Sequence, residues 1–334
     1  MNRRLIAIAA LVLPLLALLG PSPAAEAVGT VRWASPSGSG TDCTEVSPCS
    51  LDTAVEAPAV VDGDEVVVKP GAYSTPELDV LKAISLHGQA GQPVPTITTS
   101  NSIGVYVAAA ATLSDLSLTT SAQASNVFLA TGGATLERIR TNAAFGGIGC
   151  NIAASAVLRD SLCRASGANS RGLGTNNSAG PGTVTISLRN VTAVGGSVGV
   201  GFDLNGAGAV YQVDALNVIA RGGGGVNDVD VRASASTGAS VSISLAHSSY
   251  ASEQEITNGG GVAATVTDPG SGTNQVAPPV FVDAPGGDFH QAAGSPTLDA
   301  GVLDASTGTT DLDGDPRAIR ATSACPALPD IGAD

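Results

Sequence analysis

Three ten-residue segments in the middle of the chain share one pattern: ATLSDLSLTT (111–120), ATLERIRTNA (134–143) and AVLRDSLCRA (156–165). Each contains an apolar-x-Leu pair, one or two polar residues and a second alternating run. Alternation with a period of two is typical of strands that bury one face. Because the same motif returns along the chain, the pattern indicates a repeat architecture.

The motif recurs in ISLRNVTAVG (186–195), ISLAHSSYAS (243–252), more weakly in YQVDALNVIA (211–220), and in an earlier version, ISLHGQAG (84–91). One apolar residue anchors each repeat. The anchors are Leu86, Leu113, Leu136, Leu158, Leu188, Val213 and Leu245. Their spacing of 22 to 32 residues predicts one coil of a parallel β-solenoid per repeat, with two or three short strands in each coil.

Other repeat folds fit less well. The leucine-rich pattern Leu-x-x-Leu-x-Leu-x-x-Asn is missing, and few stretches show the 3.6-residue spacing of helical repeats. A β-sandwich would have shorter, more even strand spacing. Gly- and Ser-rich stretches such as SGANSRGLGTNNSAGPG (166–182) predict loops of variable length. None has a GxGxxG that opens a helix, which excludes a phosphate-binding loop.

The stretch GDEVVVKPGAY (63–73) predicts the start of the solenoid, with Val66–Val68 beginning the first coil and Pro70-Gly71 ending the strand. Before it, CSLDTAVEAPAVVDG (49–63) has apolar residues at helical spacing: Leu51, Ala54, Val55 and Ala59. This predicts a short amphipathic helix that begins near Ser50 or Asp52. Because the end of a solenoid core must be covered, we expect this helix to cap the first coil.

The first 27 residues have the layout of a secretory signal. Arg3 and Arg4 precede an apolar run, 5–19, and small residues surround a cleavage point after Ala27. A membrane anchor is the alternative, but the run is short and contains Pro14. The sequence therefore predicts an extracellular or cell-surface protein whose mature chain has no membrane span. A net charge of −14 argues against nucleic acid or an anionic membrane as a partner.

The chain has five cysteines, and export permits disulfides. Cys43 and Cys49 enclose a short loop, which predicts a local bridge. Cys150 and Cys163 are half a repeat apart, a spacing that suits a bridge between neighbouring coils. Cys325 is then left over. No cysteine has the spacing of a metal site.

Both ends of the chain resemble a known family. PCSLDTAVEAP (48–58), GDEVVVKPGAY (63–73) and LKAISLHGQAGQPVPTI (81–97) resemble the N-terminal part of right-handed parallel β-helix proteins of the pectin-lyase-like superfamily. AGSPTLDAG (293–301), TDLDGDPRAI (310–319) and PDIGAD (329–334) are similar to the C-terminal module of the β-helix proteins called choice-of-anchor Q. The middle of the chain matches this family only by pattern.

Repeats and resemblance together predict an all-β chain: a right-handed parallel β-helix with an N-terminal capping helix and an irregular C-terminal module. The expected boundaries are a signal peptide at 1–27, the cap and first coil at 28–83, the repeats at 84–256, and the closing module at 257–334.

Catalysis cannot be carried over from the fold. A polygalacturonase-like hydrolase needs paired carboxylates within Asn-Thr-Asp, Asp-Asp, Gly-His-Gly and Arg-Ile-Lys motifs. The chain has no Asn-Thr-Asp and no Asp-Asp. Its partial matches are His87-Gly88 and Arg138-Ile139-Arg140. These matches do not support a hydrolase, and for His87 we expect a turn or packing role.

A pectate-lyase-like enzyme needs carboxylates that hold calcium and a basic residue that removes a proton. VNDVDVR (226–232) places Asp228, Asp230 and Arg232 at alternate positions on one strand face, which makes the two aspartates candidate calcium ligands and Arg232 a candidate base. The alternative is an ordinary polar outward face.

A second candidate calcium site is DLDGDPR (311–317), where Asp311, Asp313 and Asp315 alternate. No glutamate follows at the twelfth position of a calcium loop. In the resembled module this stretch is a conformational turn. Calcium is thus a candidate ligand, and no cofactor is required.

Two polar columns follow the anchors. One position after them lie Ser114, Glu137, Arg159, Arg189, Asp214 and Ala246, and two positions after them lie Asp115, Arg138, Asp160, Asn190, Ala215 and His247. Stacked on a solenoid, they form either a solvated charge ladder or a sugar-binding strip.

The sequence lacks the complete set of catalytic motifs described above. This favours a non-catalytic, monomeric protein that presents a solenoid face to an extracellular glycan or cell-surface component. The alternatives are a calcium-dependent polysaccharide lyase and a scaffold without a ligand. Aromatic residues make up 3% of the chain, which weighs against sugar binding by ring stacking.

Overall fold

A computed structural model describes residues 29–122, 125–144, 146–178, 180–223, 225, 228–318 and 328–334. The predicted signal peptide at 1–27 and Cys325 lie outside the described residues. Strands dominate the described part of the chain, which confirms the all-β prediction. No helix in those ranges is long and apolar enough to cross a bilayer.

The elements follow in chain order: β1 (Val31–Ala34), α1 (Leu51–Glu56), β2 (Glu65–Val68), β3 (Ala72–Thr75), β4 (Leu78–Val80), β5 (Ser85–Gly88), β6 (Thr96–Thr99), β7 (Ile103–Val107), β8 (Thr112–Thr120), β9 (Ser125–Leu129), β10 (Ala134–Ala143), β11 (Ile148–Ile152), β12 (Ala156–Ala165), β13 (Arg171–Ser178), β14 (Gly182–Val194), β15 (Val198–Asn205), β16 (Ala209–Arg221), β17 (Val229–Ser236), β18 (Ser240–Ala246), β19 (Glu253–Thr257), β20 (Ala263–Thr267), β21 (Phe281–Asp283) and β22 (Asp288–Gln291).

Two parallel sheets form the solenoid. The first runs β1-β2-β5-β8-β10-β12-β14-β16-β18-β20, and β6 joins it through β8 while pairing with β3 on its other side. The second runs β4-β7-β9-β11-β13-β15-β17-β19. From β7 to β20, successive strands alternate between the two sheets. Each coil therefore adds one strand to each sheet, and the chain is a parallel β-helix, as predicted.

The anchor residues stack in register inside the first sheet. The column runs Leu86, Leu113, Leu136, Leu158, Leu188, Ala215 and Leu245. These side chains are almost completely buried. Six of the seven predicted anchors are therefore confirmed.

The predicted anchor Val213 is wrong, because Val213 pairs with Ile186 and Ile243, two residues earlier along the strand. Both Val213 and Ala215 point into the core. The larger side chain looks like the anchor in the sequence, while the hydrogen-bond register selects the smaller one.

The corner residues lie two positions after the true anchors and have left-handed backbone conformations. They are Asp115, Arg138, Asp160, Asn190, Asn217 and His247, with φ between 47° and 56°. In β8, the half before this corner pairs with β5 and the half after it pairs with β6. The corner therefore folds each long strand into two segments. The corrected register replaces the predicted Ala215 with Asn217, since asparagine tolerates this conformation well.

The N-terminal helix is shorter than predicted. It spans Leu51–Glu56, and the Ser50 hydroxyl accepts a hydrogen bond from the Thr53 amide at 3.3 Å as the N-cap. Leu51, Ala54 and Val55 are buried as expected, but Ala59 lies beyond the helix and is exposed. The cause is the end of the helix before Pro58, since the residue ahead of a proline avoids helical geometry.

The valine strand does not begin the first coil. β1 pairs in parallel with β2 and lies one rung earlier, so the prediction for Val66–Val68 is wrong by one rung. The short β1 has no long apolar run to mark it, and two of its four residues are buried. At the other end, β20 adds a rung beyond residue 256.

The C-terminal residues fold back along the side of the solenoid. The Gly332 amide donates to the Asn217 carbonyl at 2.9 Å, and the Ala333 amide donates to Thr192 Oγ1 at 3.0 Å. A small apolar cluster, Leu162, Phe289, Leu312 and Ala333, fills the contact. This segment therefore lies against the coils of β12, β14 and β16, and its likeness to the choice-of-anchor module stays a resemblance.

Both predicted disulfides are present. Cys43–Cys49 closes the loop before α1. Cys150–Cys163 joins β11 to β12, the next strand along the chain. Because β11 belongs to the second sheet and β12 to the first, this bridge ties the two sheets together.

Candidate functional site

A polar cleft lies where the β5–β6 connection, the first two corner residues and the C-terminal segment meet. Its volume is about 670 Å³. Its polar lining is His87, Gln89, Gln92, Asp115, Glu137, Arg138, Thr309, Thr310 and Asp313. Most of these side chains are planar amides, carboxylates, guanidinium or imidazole. Such groups offer fixed directions for hydrogen bonds to a ligand.

The charges in the polar cleft are paired with one another. Asp115 accepts hydrogen bonds from Arg138 Nε at 2.7 Å and Nη2 at 2.9 Å. Glu137 accepts from Arg138 and, at 2.6 Å, from Arg159 Nη2. The hydrogen bond to Asp115 raises the pKa of Arg138. The two predicted polar columns thus meet here as alternating ion pairs, which neutralise the carboxylates of Asp115 and Glu137.

His87 forms one wall of the cleft. Its Nδ1 lies 2.9 Å from the Gly88 carbonyl oxygen, and its Nε2 lies 3.0 Å from Glu65 Oε1. Both ring nitrogens therefore face oxygen acceptors, which fixes the ring plane. This placement agrees with the expected turn or packing role, and it also leaves an imidazole edge on the cleft surface.

Farther along, the corner residues are buried and bind each other. Asn217 Nδ2 donates to Asn190 Oδ1 at 2.8 Å, and Asn190 Nδ2 donates to Asp160 Oδ1 at 2.9 Å. Arg317, from the C-terminal segment, lies 2.9 Å from the same Asp160 oxygen. Burial raises the pKa of Asp160 and lowers that of Arg317. This part of the column is closed to solvent and attaches the C-terminal segment.

The predicted calcium-plus-arginine set separates in space. Asp230 is buried and accepts hydrogen bonds from Arg221 at 3.0 Å and from the Gly222 and Ala251 amides. Arg232 donates to both oxygens of Asp203, at 3.0 and 2.6 Å. Asp228 and Arg232 do line one cavity of about 400 Å³. Their roles as metal ligand and base stay predictions.

The second predicted calcium set forms a turn. Asp311 Oδ1 accepts from the Asp313 and Asp315 amides, each at 2.9 Å. Asp313 points away from Asp311, toward Arg140 and His290. The local contacts are those of the conformational turn that the resemblance implies, and calcium binding at this turn also stays a prediction.

His290 has no partner at helical spacing in the sequence, so the sequence does not indicate that it is a site residue. Its Nδ1 lies 2.5 Å from Asp288 Oδ1, and its Nε2 lies 2.5 Å from Asp313 Oδ2. The contact with Asp313 contributes most to raising the pKa of His290, to about 9. Asp288 is two residues away in the sequence, but Asp313 is 23 residues away, so no motif spacing reveals the pair of partners.

An open groove of about 530 Å³ crosses the outer face of the first sheet. Hydroxyl groups of Ser155, Thr185, Ser187, Ser242 and Ser244 alternate there with small apolar side chains. Its acidic residue, Asp214, is hydrogen-bonded to Arg189 at 2.5 Å. The groove has fewer planar polar groups than the polar cleft, which makes the cleft the better-formed ligand site.

Comparisons with known proteins identify no family. No family model matches the chain, and no curated protein matches it. Among solved structures, the crystal structure of pectate lyase Pel9A is similar, with a TM-score of 0.49, 14% identity, and coverage of 92% of this chain and 97% of that chain. A likeness at this level says nothing about activity, and the fold assignment stands on the strand pairing.

Proposed function

We propose that this chain is an exported, non-catalytic parallel β-helix protein that binds a glycan in the polar cleft. The observation that carries the proposal is the cleft itself, with its amide, carboxylate, guanidinium and hydroxyl groups converging on one cavity. Ligand sites combine a formed cavity with a few well-placed polar groups, and this volume lies in the range of such sites.

The charge pairing suggests which glycan class suits the cleft. Asp115 and Glu137 are neutralised by Arg138 and Arg159, so the cleft does not present the positive charge that a polyuronide needs. Neutral sugar hydroxyls can donate to the carboxylates and accept from Arg138 and the glutamine amides. The preferred ligand is therefore a neutral glycan held by hydrogen bonds.

A glycan array followed by calorimetry on the best ligand tests this function. The double variant Gln89→Ala/Gln92→Ala removes two amides from the cleft lining. We expect about 5- to 150-fold weaker binding, because each lost hydrogen bond contributes about 0.5–1.5 kcal/mol. Gln254→Ala is the matched control, since Gln254 is exposed on β19. Equal affinity of the double variant and the control would contradict the proposal.

A calcium-dependent polysaccharide lyase is the second candidate, supported by the cavity that Asp228 and Arg232 share. Its test is the absorbance of an unsaturated uronate product, measured on a panel of polyuronides with and without calcium. Calcium-dependent activity that Asp228→Asn abolishes would establish the lyase and overturn the non-catalytic proposal. Asp228 suits this test because its side chain accepts a hydrogen bond from the Gly225 amide, which an asparagine oxygen can also accept.

A further inference from the structure

Three metal-ligating side chains converge beside the C-terminal segment, and one of them, Asp313, also belongs to the second predicted calcium set. One ligand atom each from His290, Asp313 and Asp334 lies within 4.8 Å of the other two. They come from β22, from the 311–315 turn and from the final described residue, so only the tertiary fold brings them together. This cluster differs from an acidic surface patch, because an imidazole nitrogen and two carboxylates form a mixed donor set.

Each of the three side chains is held from its far side. Asp288 Oδ1 lies 2.5 Å from His290 Nδ1, which leaves Nε2 facing the cluster. The Gln291 amide donates to Asp334 Oδ2 at 2.7 Å. Arg140 contacts Asp313 Oδ1, while Asp313 Oδ2 faces the imidazole. A carboxylate behind the distal ring nitrogen is the usual support of a metal-binding histidine.

The charge and the space also suit a divalent ion. A bound metal ion replaces the imidazole proton, and Asp288, Asp313 and Asp334 against Arg140 then leave two uncompensated negative charges. An adjoining cavity of about 320 Å³, lined by Leu162, Phe289 and His290, leaves room for a water or ligand on the metal. Three protein ligands and an open position are typical of reactive zinc sites.

We propose that His290, Asp313 and Asp334 bind a divalent transition-metal ion such as Zn²⁺, with Asp288 orienting the imidazole. Nitrogen with carboxylate oxygen favours such ions over calcium, which takes oxygen ligands. Bonds of about 2.0–2.2 Å require the ligand atoms to move by roughly 1 Å, which the half-exposed His290 permits. The site shares Asp313 with the polar cleft and with the second predicted calcium set, but its test measures metal binding and not glycan binding.

Calorimetric titration of the chelator-stripped, tag-free protein with Zn²⁺ tests the proposal, together with the visible absorption of bound Co²⁺. All proteins carry Cys325→Ser, so that residue 325 does not contribute to the binding. We expect one equivalent of Zn²⁺, a Co²⁺ spectrum with nitrogen and oxygen ligands, and loss of both in His290→Asn. Asp288→Asn removes only the carboxylate behind the imidazole, and this variant should bind Zn²⁺ about 10- to 100-fold more weakly.

His247→Asn is the matched control, because asparagine suits its left-handed backbone and His247 lies outside the cluster. It should bind Zn²⁺ like the parent protein. Circular dichroism and thermal unfolding check whether His290→Asn remains folded. The proposal is overturned if the parent binds no Zn²⁺, or if binding survives His290→Asn. It is also overturned if binding requires Asp311 and Asp315 in place of His290.

Discussion

Arg317→Met should destabilise the protein by about 3–5 kcal/mol, because it leaves the Asp160 carboxylate buried without its partner. The side chains of Arg317 and Asp160 are 1% and 0% exposed. Arg317 also donates to the carbonyl oxygens of Gly332, Ala333 and Asp334. One guanidinium therefore connects the C-terminal segment to the corner of β12, and its loss should detach that segment from the solenoid.

Chemical denaturation and limited proteolysis measure this effect. Arg159→Met is the control, since Arg159 is 36% exposed and its ion pair with Glu137 is worth at most about 1 kcal/mol. The double variant Arg317→Met/Asp160→Asn should recover much of the loss, because no unpaired charge remains and asparagine suits the corner. Equal losses in Arg317→Met and Arg159→Met would show that the buried pair does not anchor the segment.

The stability loss caused by Arg317→Met should depend on pH. Burial already raises the pKa of Asp160, and removing Arg317 removes an interaction that lowers it. A carboxyl whose pKa is higher in the folded state destabilises the fold increasingly as the pH rises above its unfolded value of about 3.9. The deficit of Arg317→Met should therefore be smallest in acid and grow toward neutral pH.

Leu158→Ala should cost about 2–5 kcal/mol, the usual range for emptying a buried leucine position. Leu158 is fully buried between Leu136 and Leu188 of the neighbouring rungs. A solenoid core is continuous, so the cavity also weakens the stacking of the coils on either side. Thermal and denaturant unfolding report the loss.

The matched control for Leu158→Ala is a substitution of the preceding residue, Val157. Val157→Ala truncates a side chain that is 39% exposed on the outer groove, and we expect a loss within about 0.5 kcal/mol. The contrast tests the register itself, since a shift by one residue exchanges the two faces. Similar costs for the two variants would contradict the assigned register.

Much of the solenoid was predictable, because its information is local and repeated. Six leucine anchors identify the coil, and their alternation identifies the buried face. The predicted anchor Val213 was wrong because the true anchor, Ala215, has the smaller side chain. The helix was predicted to reach Ala59, but it ends before Pro58. The corner residues were predicted from their position two residues after each anchor, although they differ in charge. What they share is a left-handed backbone, which composition does not reveal.

The candidate sites were less predictable, because a residue's chemistry depends on its neighbours. Asp230 and Arg232 share a strand face in sequence, yet each is paired to a different partner, Arg221 and Asp203. Asp313 was singled out for calcium, but its contacts lie with His290 and Arg140. No spacing rule joins residues that meet only after the chain folds back.

The sequence by itself determined the coil, its buried face, the capping helix and both disulfides, since each depends on residues within one repeat or between adjacent repeats. The tertiary structure alone decided where the C-terminal segment lies. Asp160 meets Arg317, and His290 meets Asp313 and Asp334, through docking onto the solenoid side. Such contacts depend on the shape and charge of a completed surface, which periodicity along the chain does not encode.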